Sequence, residues 1–258
     1  MFLQGSGPPI VVVPGIQGRW EWMRPALRAL APTCRTVSYT LSGDLGSRTR
    51  MDWDLGLESL CRQLDGVLDA ARLERAAICG VSYGGLVAVR YAATRPRRVS
   101  ALILVSSPGP GWAPSARQAR YASRPWVSLP AFCATAFQRL GAEIVEALPG
   151  WPSRIAFTTR YAAGALAAPA IPSVMARRVR IQQLTDIEGD CGCITAPTLV
   201  ITGDAHLDRV VPVESTRRYV DLIAGARYEI MERTGHLGLL TQPDRFARIV
   251  SEFVHAHH

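Results

Sequence analysis

Short, wholly apolar runs recur along the chain, and glycine, proline or serine closes each of them. Ile10–Val13 runs into Pro14-Gly15-Ile16-Gln17-Gly18, Ala76–Cys79 into Gly80-Val81-Ser82, and Ala101–Val105 into Ser106-Ser107-Pro108-Gly109. Runs of this length without polar alternation are what a strand buried on both faces requires. Thr36–Tyr39 reads as a further short strand, and Met1–Gln4 as a remnant edge strand. Between these runs the apolar period becomes helical. Asp54–Ala71 carries apolar residues at 57, 60, 64, 67, 68 and 71, Trp20–Leu30 places Trp22, Leu27 and Leu30 on one side, and Leu86–Ala93 continues as a helix behind Gly84-Gly85. The rhythm returns late in the chain: a strand within 197–203, a helix over Glu214–Ala224, a strand over Arg227–Met231 and an amphipathic helix over Pro243–Ala256. Strands alternating with helices predict an α/β fold, a mostly parallel sheet with right-handed crossovers flanked by helices.

From Gly111 to about Asp190 the alternation stops. The segment holds Trp112, Trp126, Phe132, Phe137, Trp151, Phe157 and Tyr161, interrupted by prolines, with helical patches at Ala131–Leu148 and Ser173–Leu184. We read residues 111–190 as an inserted, mainly helical lid between a first part of the core, 1–110, and a second part, 191–258. Part of its aromatic residues are expected to pack on the sheet, and several to line an apolar cleft above Ser82.

Composition changes this picture little. The 258 residues suffice for one large α/β domain. The net charge is +8 and every one of the 29 basic residues is arginine, but these are scattered, so no nucleic-acid partner is expected. Six cysteines include no C-x-x-C pair; Cys191 and Cys193 are expected as free thiols in a loop, and Cys79 as a small core residue. His255, His257 and His258 read as a solvated tail rather than a metal site. No apolar stretch approaches the ~20 residues of a membrane span, and the first residues lack the pattern of a signal peptide. A cytoplasmic location with no stable membrane association is therefore expected, and the partner is a small-molecule substrate.

The chemistry concentrates where predicted strands end, which is where open parallel sheets bind their ligands. Gly80-Val81-Ser82-Tyr83-Gly84-Gly85 stands between a strand and a helix. Such a turn projects the Ser82 hydroxyl, and Gly80 and Gly84 remove side chains that would collide there. A serine hydroxyl is a weak nucleophile and needs a base. His236 follows the last strand in Gly235-His236, whereas His206 lies in a loop and the other three histidines in the tail. The base in turn needs an acid. Asp204 and Asp208, in Asp204-Ala-His-Leu-Asp208-Arg-Val-Val-Pro212, are both placed to serve.

From Ile10 to its end the chain resembles the α/β-hydrolase fold family, here a serine hydrolase with a helical lid. Gly80–Gly85 is similar to its nucleophile elbow, Asp208-Arg-Val-Val-Pro212 to its acid motif, and Gly235-His236 to its histidine motif. The resemblance implies Ser82 as nucleophile, His236 as base and Asp208 as acid, with the backbone N–H groups of Ile16 and Tyr83 as the oxyanion hole. It implies no metal or organic cofactor. The activity it implies is hydrolysis of a carboxylic ester with an apolar acyl or aryl part. The alternatives are other acyl chemistry on the same fold (thioester, lactone, C–C bond hydrolysis or acyl transfer) and a non-catalytic binding protein. The chain departs from the pattern in three places. Pro14-Gly15 stands where the family has His-Gly, which leaves open how the oxyanion loop is pinned. The usual spacing of the acid falls on His206. The N-terminal hairpin is almost absent.

Overall fold

The computed structural model describes all 258 residues. Seven strands form one sheet: β1 (Phe2–Gln4), β2 (Pro9–Val13), β3 (Arg35–Ser38), β4 (Ala76–Val81), β5 (Val99–Val105), β6 (Thr198–Thr202) and β7 (Arg227–Ile230). Their order is β1-β3-β2-β4-β5-β6-β7, and only the edge strand β1 runs antiparallel to its neighbour. The helices of the first part are α1 (Arg24–Leu30), α2 (Leu57–Ala70) and α3 (Tyr83–Thr94). Between β5 and β6 come α4 (Ala116–Ser123), α5 (Pro125–Ala134), α6 (Ala136–Ala147), α7 (Trp151–Ala167), α8 (Pro172–Leu184) and α9 (Ile187–Cys191). The chain closes with α10 (Val213–Leu222), α11 (Gly238–Thr241) and α12 (Pro243–Ala256).

Each unbroken apolar run is divided between two cores, because successive side chains on a strand point to opposite faces. Val11, Val13, Ile78, Leu102, Leu104 and Val200 face one way, and pack with Leu60 and Leu64 of α2, Val87 of α3 and Tyr219 of α10. Ile10, Val12, Cys79, Ile103, Val105 and Ile201 face the other, against Leu27 and Leu30 of α1 and Phe246 and Val250 of α12. This two-sided burial holds β4 at the centre of the sheet, between β2 and β5. The loops that follow β2, β4, β6 and β7 therefore converge at one end.

Two features of the inserted helices differ from the sequence reading. The single helix expected over 131–148 is broken at Thr135, where α5 ends and α6 begins. The Thr135 hydroxyl donates to the Ala131 carbonyl at 2.9 Å, the kind of local competition that interrupts a helix. Three of the prolines that interrupt the segment in sequence are helix starters: Pro125, Pro152 and Pro172 lie in first turns, where the missing N–H costs nothing, whereas Pro130 lies inside α5. No helix is long and apolar enough to cross a membrane.

Candidate active site

Ser82 is the single residue between β4 and α3, with φ 52° and ψ −122°. A side-chain-bearing residue in that region stores about 1–3 kcal/mol of strain. Two backbone hydrogen bonds hold it there: Ser82 N–H donates to Val105 O at 2.8 Å, and Gly85 N–H donates to Ser82 O at 2.8 Å. Space is equally constrained. A Cβ on Gly80 would stand 2.5 Å from the Gly84 carbonyl oxygen, and one on Gly84 would strike the Val13 carbonyl. The turn leaves Ser82 partly accessible while Val81 and Tyr83 beside it are buried.

His236 lies in the loop after β7, and its Nε2 is 3.1 Å from Ser82 Oγ. On the other side of the ring, Nδ1 is 3.1 Å from Asp208 Oδ2. The Asp208 side chain is 1% exposed. Its second oxygen accepts the N–H groups of Val210 and Val211 at 3.0 and 2.9 Å, so the buried carboxylate is fully satisfied and fixed in place. Asp204 is not on the ring. Its Oδ2 accepts the Arg233 N–H at 2.7 Å and its own N–H donates to Thr234 O, so it braces the loop that leads to His236. Burial works against the imidazolium of His236. The charge of Asp208, its hydrogen bond and the charge of Glu143 outweigh that burial and hold the pKa above the ordinary value. The result is a base poised between a hydroxyl and a carboxylate, able to draw the proton from Ser82 and to stabilise the cation formed.

The loop after β2 lies against the serine: a Cβ on Gly15 would be 3.5 Å from Ser82 Cβ. The Ile16 N–H donates to no group in the protein. Tyr83 is the first residue of α3, a position whose N–H has no intrahelical acceptor. Gly18 N–H donates to Gly15 O at 2.9 Å and Leu41 N–H to Gly18 O at 2.8 Å, which close and anchor this loop. His206 is exposed to solvent. Of the tail histidines, His255 donates to or accepts from no other histidine; its Nε2 is 2.9 Å from Thr33 O, and the His257 ring packs against Phe253. Cys191 is buried, its thiol pushed up to about 12 by that burial, and Cys193 is an exposed free thiol.

Three charged residues at this site were not singled out in the sequence. Glu143 of α6 is buried, and both its carboxylate oxygens are 2.9 Å from the Leu237 N–H, one residue beyond His236. Burial pushes its carboxyl up to about 7, against the pull of the Leu237 and Gly235 N–H groups and of His236. Arg178 of α8 and Asp44 form a buried ion pair beneath the loop that carries Ile16. The readable signal was helical position. Val174 and Ile181 flank Arg178 at i−4 and i+3, and Leu140 and Ala147 flank Glu143 at i−3 and i+4, so both charges stand on inward faces.

Three of the aromatic residues of the inserted helices do not line a cleft above Ser82. Trp126, Phe137 and Trp151 are 60%, 78% and 72% exposed. Phe157 and Tyr161 do turn inward, stacked with centroids 5.9 Å apart, and Tyr161 meets Trp22 edge-on. Trp112 borders a small cavity with Leu86, Gly109 and Ile187. An aromatic count over a segment does not say which helix face each ring occupies.

Comparison with known proteins places this geometry in context. The model of the family described as "Alpha/beta hydrolase family" matches residues 10–249. A protein of Variovorax paradoxus named provisionally as the carbamate hydrolase RutD is 28% identical over 96% of this chain and 92% of its own length. The 2-hydroxy-6-oxononadienedioate/2-hydroxy-6-oxononatrienedioate hydrolase 1 of Dechloromonas aromatica is 30% identical over 98% of this chain and 86% of its own. Among solved structures, a thermophilic esterase from Thermogutta terrifontis superposes with a TM-score of 0.81 at 22% identity, covering all of this chain and 93% of that one.

Proposed function

From the premise that the chain belongs to the alpha/beta hydrolase family and is a hydrolase, we propose that it cleaves carboxylic esters through a Ser82–His236–Asp208 triad. The observation that carries the reading is the continuous line of hydrogen-bond distances, 3.1 Å from Ser82 Oγ to His236 Nε2 and 3.1 Å from Nδ1 to Asp208 Oδ2. Ser82 Oγ attacks the ester carbonyl carbon while His236 Nε2 takes its proton. The oxyanion that forms is held by the N–H groups of Ile16 and Tyr83, each worth roughly 10²–10³ in rate in such sites. As the tetrahedral intermediate collapses, His236 gives the proton to the leaving alkoxide and an acyl-Ser82 remains. Water, deprotonated by His236, then attacks the acyl carbon; the bond to Ser82 Oγ breaks as His236 returns the proton to that oxygen, and the acid leaves. Asp208 fixes the ring tautomer and balances the imidazolium throughout.

A second reading is favoured by the Dechloromonas relative, whose name describes a hydrolase of dienoic or trienoic keto acids. On that reading the same serine and histidine serve the hydrolysis of a carbon–carbon bond next to a ketone. A substrate panel separates the two: p-nitrophenyl acetate, butyrate and octanoate, an aryl carbamate, and a vinylogous 1,5-diketo acid. Ester turnover that exceeds turnover of the diketo acid in kcat/KM by at least tenfold supports the ester reading. The reverse order replaces it with the second.

A further inference from the structure

The loop that carries Ile16 has no imidazole at position 14 to hold it, yet it is not loose. Its first peptide plane, Gly15 C=O with Ile16 N–H, is fixed by the Gly18 N–H donating to Gly15 O. Its second plane, Ile16 C=O with Gln17 N–H, is fixed from outside the core: Arg178 Nη1 donates to Ile16 O at 2.9 Å. The same guanidinium donates through Nη2 to Ser42 O at 3.0 Å and to Asp44 Oδ2 at 2.5 Å. The two side chains are 1% and 0% exposed.

We propose that Arg178, neutralised by Asp44, is a positioning residue for the oxyanion hole, through which the inserted helix α8 holds the Ile16 N–H in the geometry that the transition state needs. The inference rests on the serine-hydrolase reading above. Gly18 supports it independently. At φ +73°, a Cβ there would run into the Asp44 carboxylate and stand 2.5 Å from Arg178 Nη1, so the loop is shaped to admit this pair. The surroundings are polar as well as closed. Asp44 Oδ1, Arg178 Nε and the hydroxyls of Tyr39 and Tyr83 are buried without a protein partner, and the Arg178 charge acts on both hydroxyls. A buried pair of this kind is weak as a source of stability, since apolar replacements of both partners are often neutral. What it supplies here is direction. Without the Arg178 donor, the Ile16–Gln17 peptide loses its outside anchor, and the Gly18 N–H on Gly15 O is left as the one bond that orients the plane of the Ile16 N–H.

The test compares wild type, the double variant Asp44→Leu/Arg178→Met, Arg178→Lys and Arg178→Ala. Each is titrated to an end point with a fluorophosphonate, so that kcat on p-nitrophenyl butyrate is expressed per active serine. A trifluoromethyl ketone, whose hemiketal oxyanion occupies the hole, gives a Ki. The double variant is expected to lose about 10–100-fold in kcat, less than the 10²–10³ of losing a donor outright, with KM within about threefold and Ki weakened in step with kcat. Arg178→Lys should fall between the two, and ethylguanidinium at sub-denaturing concentration should restore Arg178→Ala in part. A merely structural role moves thermal stability and the titratable fraction but leaves kcat per active serine and Ki unchanged. A double variant within about twofold of wild type in both quantities overturns the inference. If the double variant does not fold, wild-type kcat and Ki per active serine in Arg178→Lys overturn it instead. A wild-type chain that neither reacts with the fluorophosphonate nor hydrolyses the ester overturns the serine-hydrolase reading itself, and this inference with it.

Discussion

Replacing Glu143 by glutamine removes a buried carboxyl that titrates beside His236 while keeping its shape. In the native protein this carboxyl accepts the Leu237 N–H with both oxygens. The glutamine amide oxygen accepts the same N–H without carrying charge. Burial raises the Glu143 pKa from 4.5 to about 7. At about 1.4 kcal/mol per pH unit, that difference corresponds to at most about 3.5 kcal/mol. The sign follows from proton binding. The folded state holds the Glu143 proton more tightly than the unfolded chain, so this contribution is complete below pH 4.5 and is lost as the pH rises through 7. The variant lacks that loss. Urea unfolding from pH 5 to pH 9 should therefore show Glu143→Gln gaining on wild type by about 2–3 kcal/mol across the window and then running parallel. Because the Glu143 charge also raises the His236 pKa, the acid limb of the kcat/KM profile should move to lower pH in the variant. Stability curves with the same pH slope for both proteins would refute the argument that this carboxyl is strained by burial.

Further outcomes follow from the same geometry. Asp208→Asn should lower kcat by about 10⁴-fold, because the amide no longer fixes the productive tautomer, whereas Asp204→Asn should cost far less, since Asp204 braces the Arg233 turn and does not touch the ring. Single-substrate kinetics on purified variants decide between them, and an equal loss in both would assign Asp204 a role that its position does not explain. The kcat/KM of the native protein should fall on the acid side with an apparent pKa above 6.5, since His236 must be neutral to act and Asp208 holds its proton on. In Asp208→Asn the same limb should shift downward, and an unchanged limb would detach the profile from His236.

The sheet was legible in the sequence because both of its faces are buried. Runs such as Ile10–Val13 and Ala101–Val105 have no other stable use, and their positions in β2 and β5 follow directly. The sharp turn at Ser82 was legible for a different reason: only glycine at 80 and 84 fits the close approach of β2 and α3 to the strand end. The inserted helices were legible as helical but not in detail. Pro125, Pro152 and Pro172 read as breaks when they are first-turn residues, and helix faces were hidden, so Trp126 and Trp151 suggested a cleft although they face solvent. Asp208 and Asp204 stand four residues apart after one strand, and only the fold of the 204–211 turn, closed by the Val210 and Val211 N–H groups on Asp208, separates them. Arg178 and Asp44 lie 134 residues apart in sequence, and no local pattern announces that they meet.

Covalent labelling asks whether Ser82 is a nucleophile activated by His236. The purified protein is treated with a fluorophosphonate, digested and analysed by mass spectrometry, beside Ser82→Ala and His236→Ala. One adduct per chain is expected, on the peptide carrying Gly80-Val81-Ser82-Tyr83-Gly84, with none in Ser82→Ala and labelling slowed by orders of magnitude in His236→Ala. Undiminished labelling of Ser82→Ala, an adduct on another residue, or a wild-type chain that stays unlabelled while fully folded would contradict it.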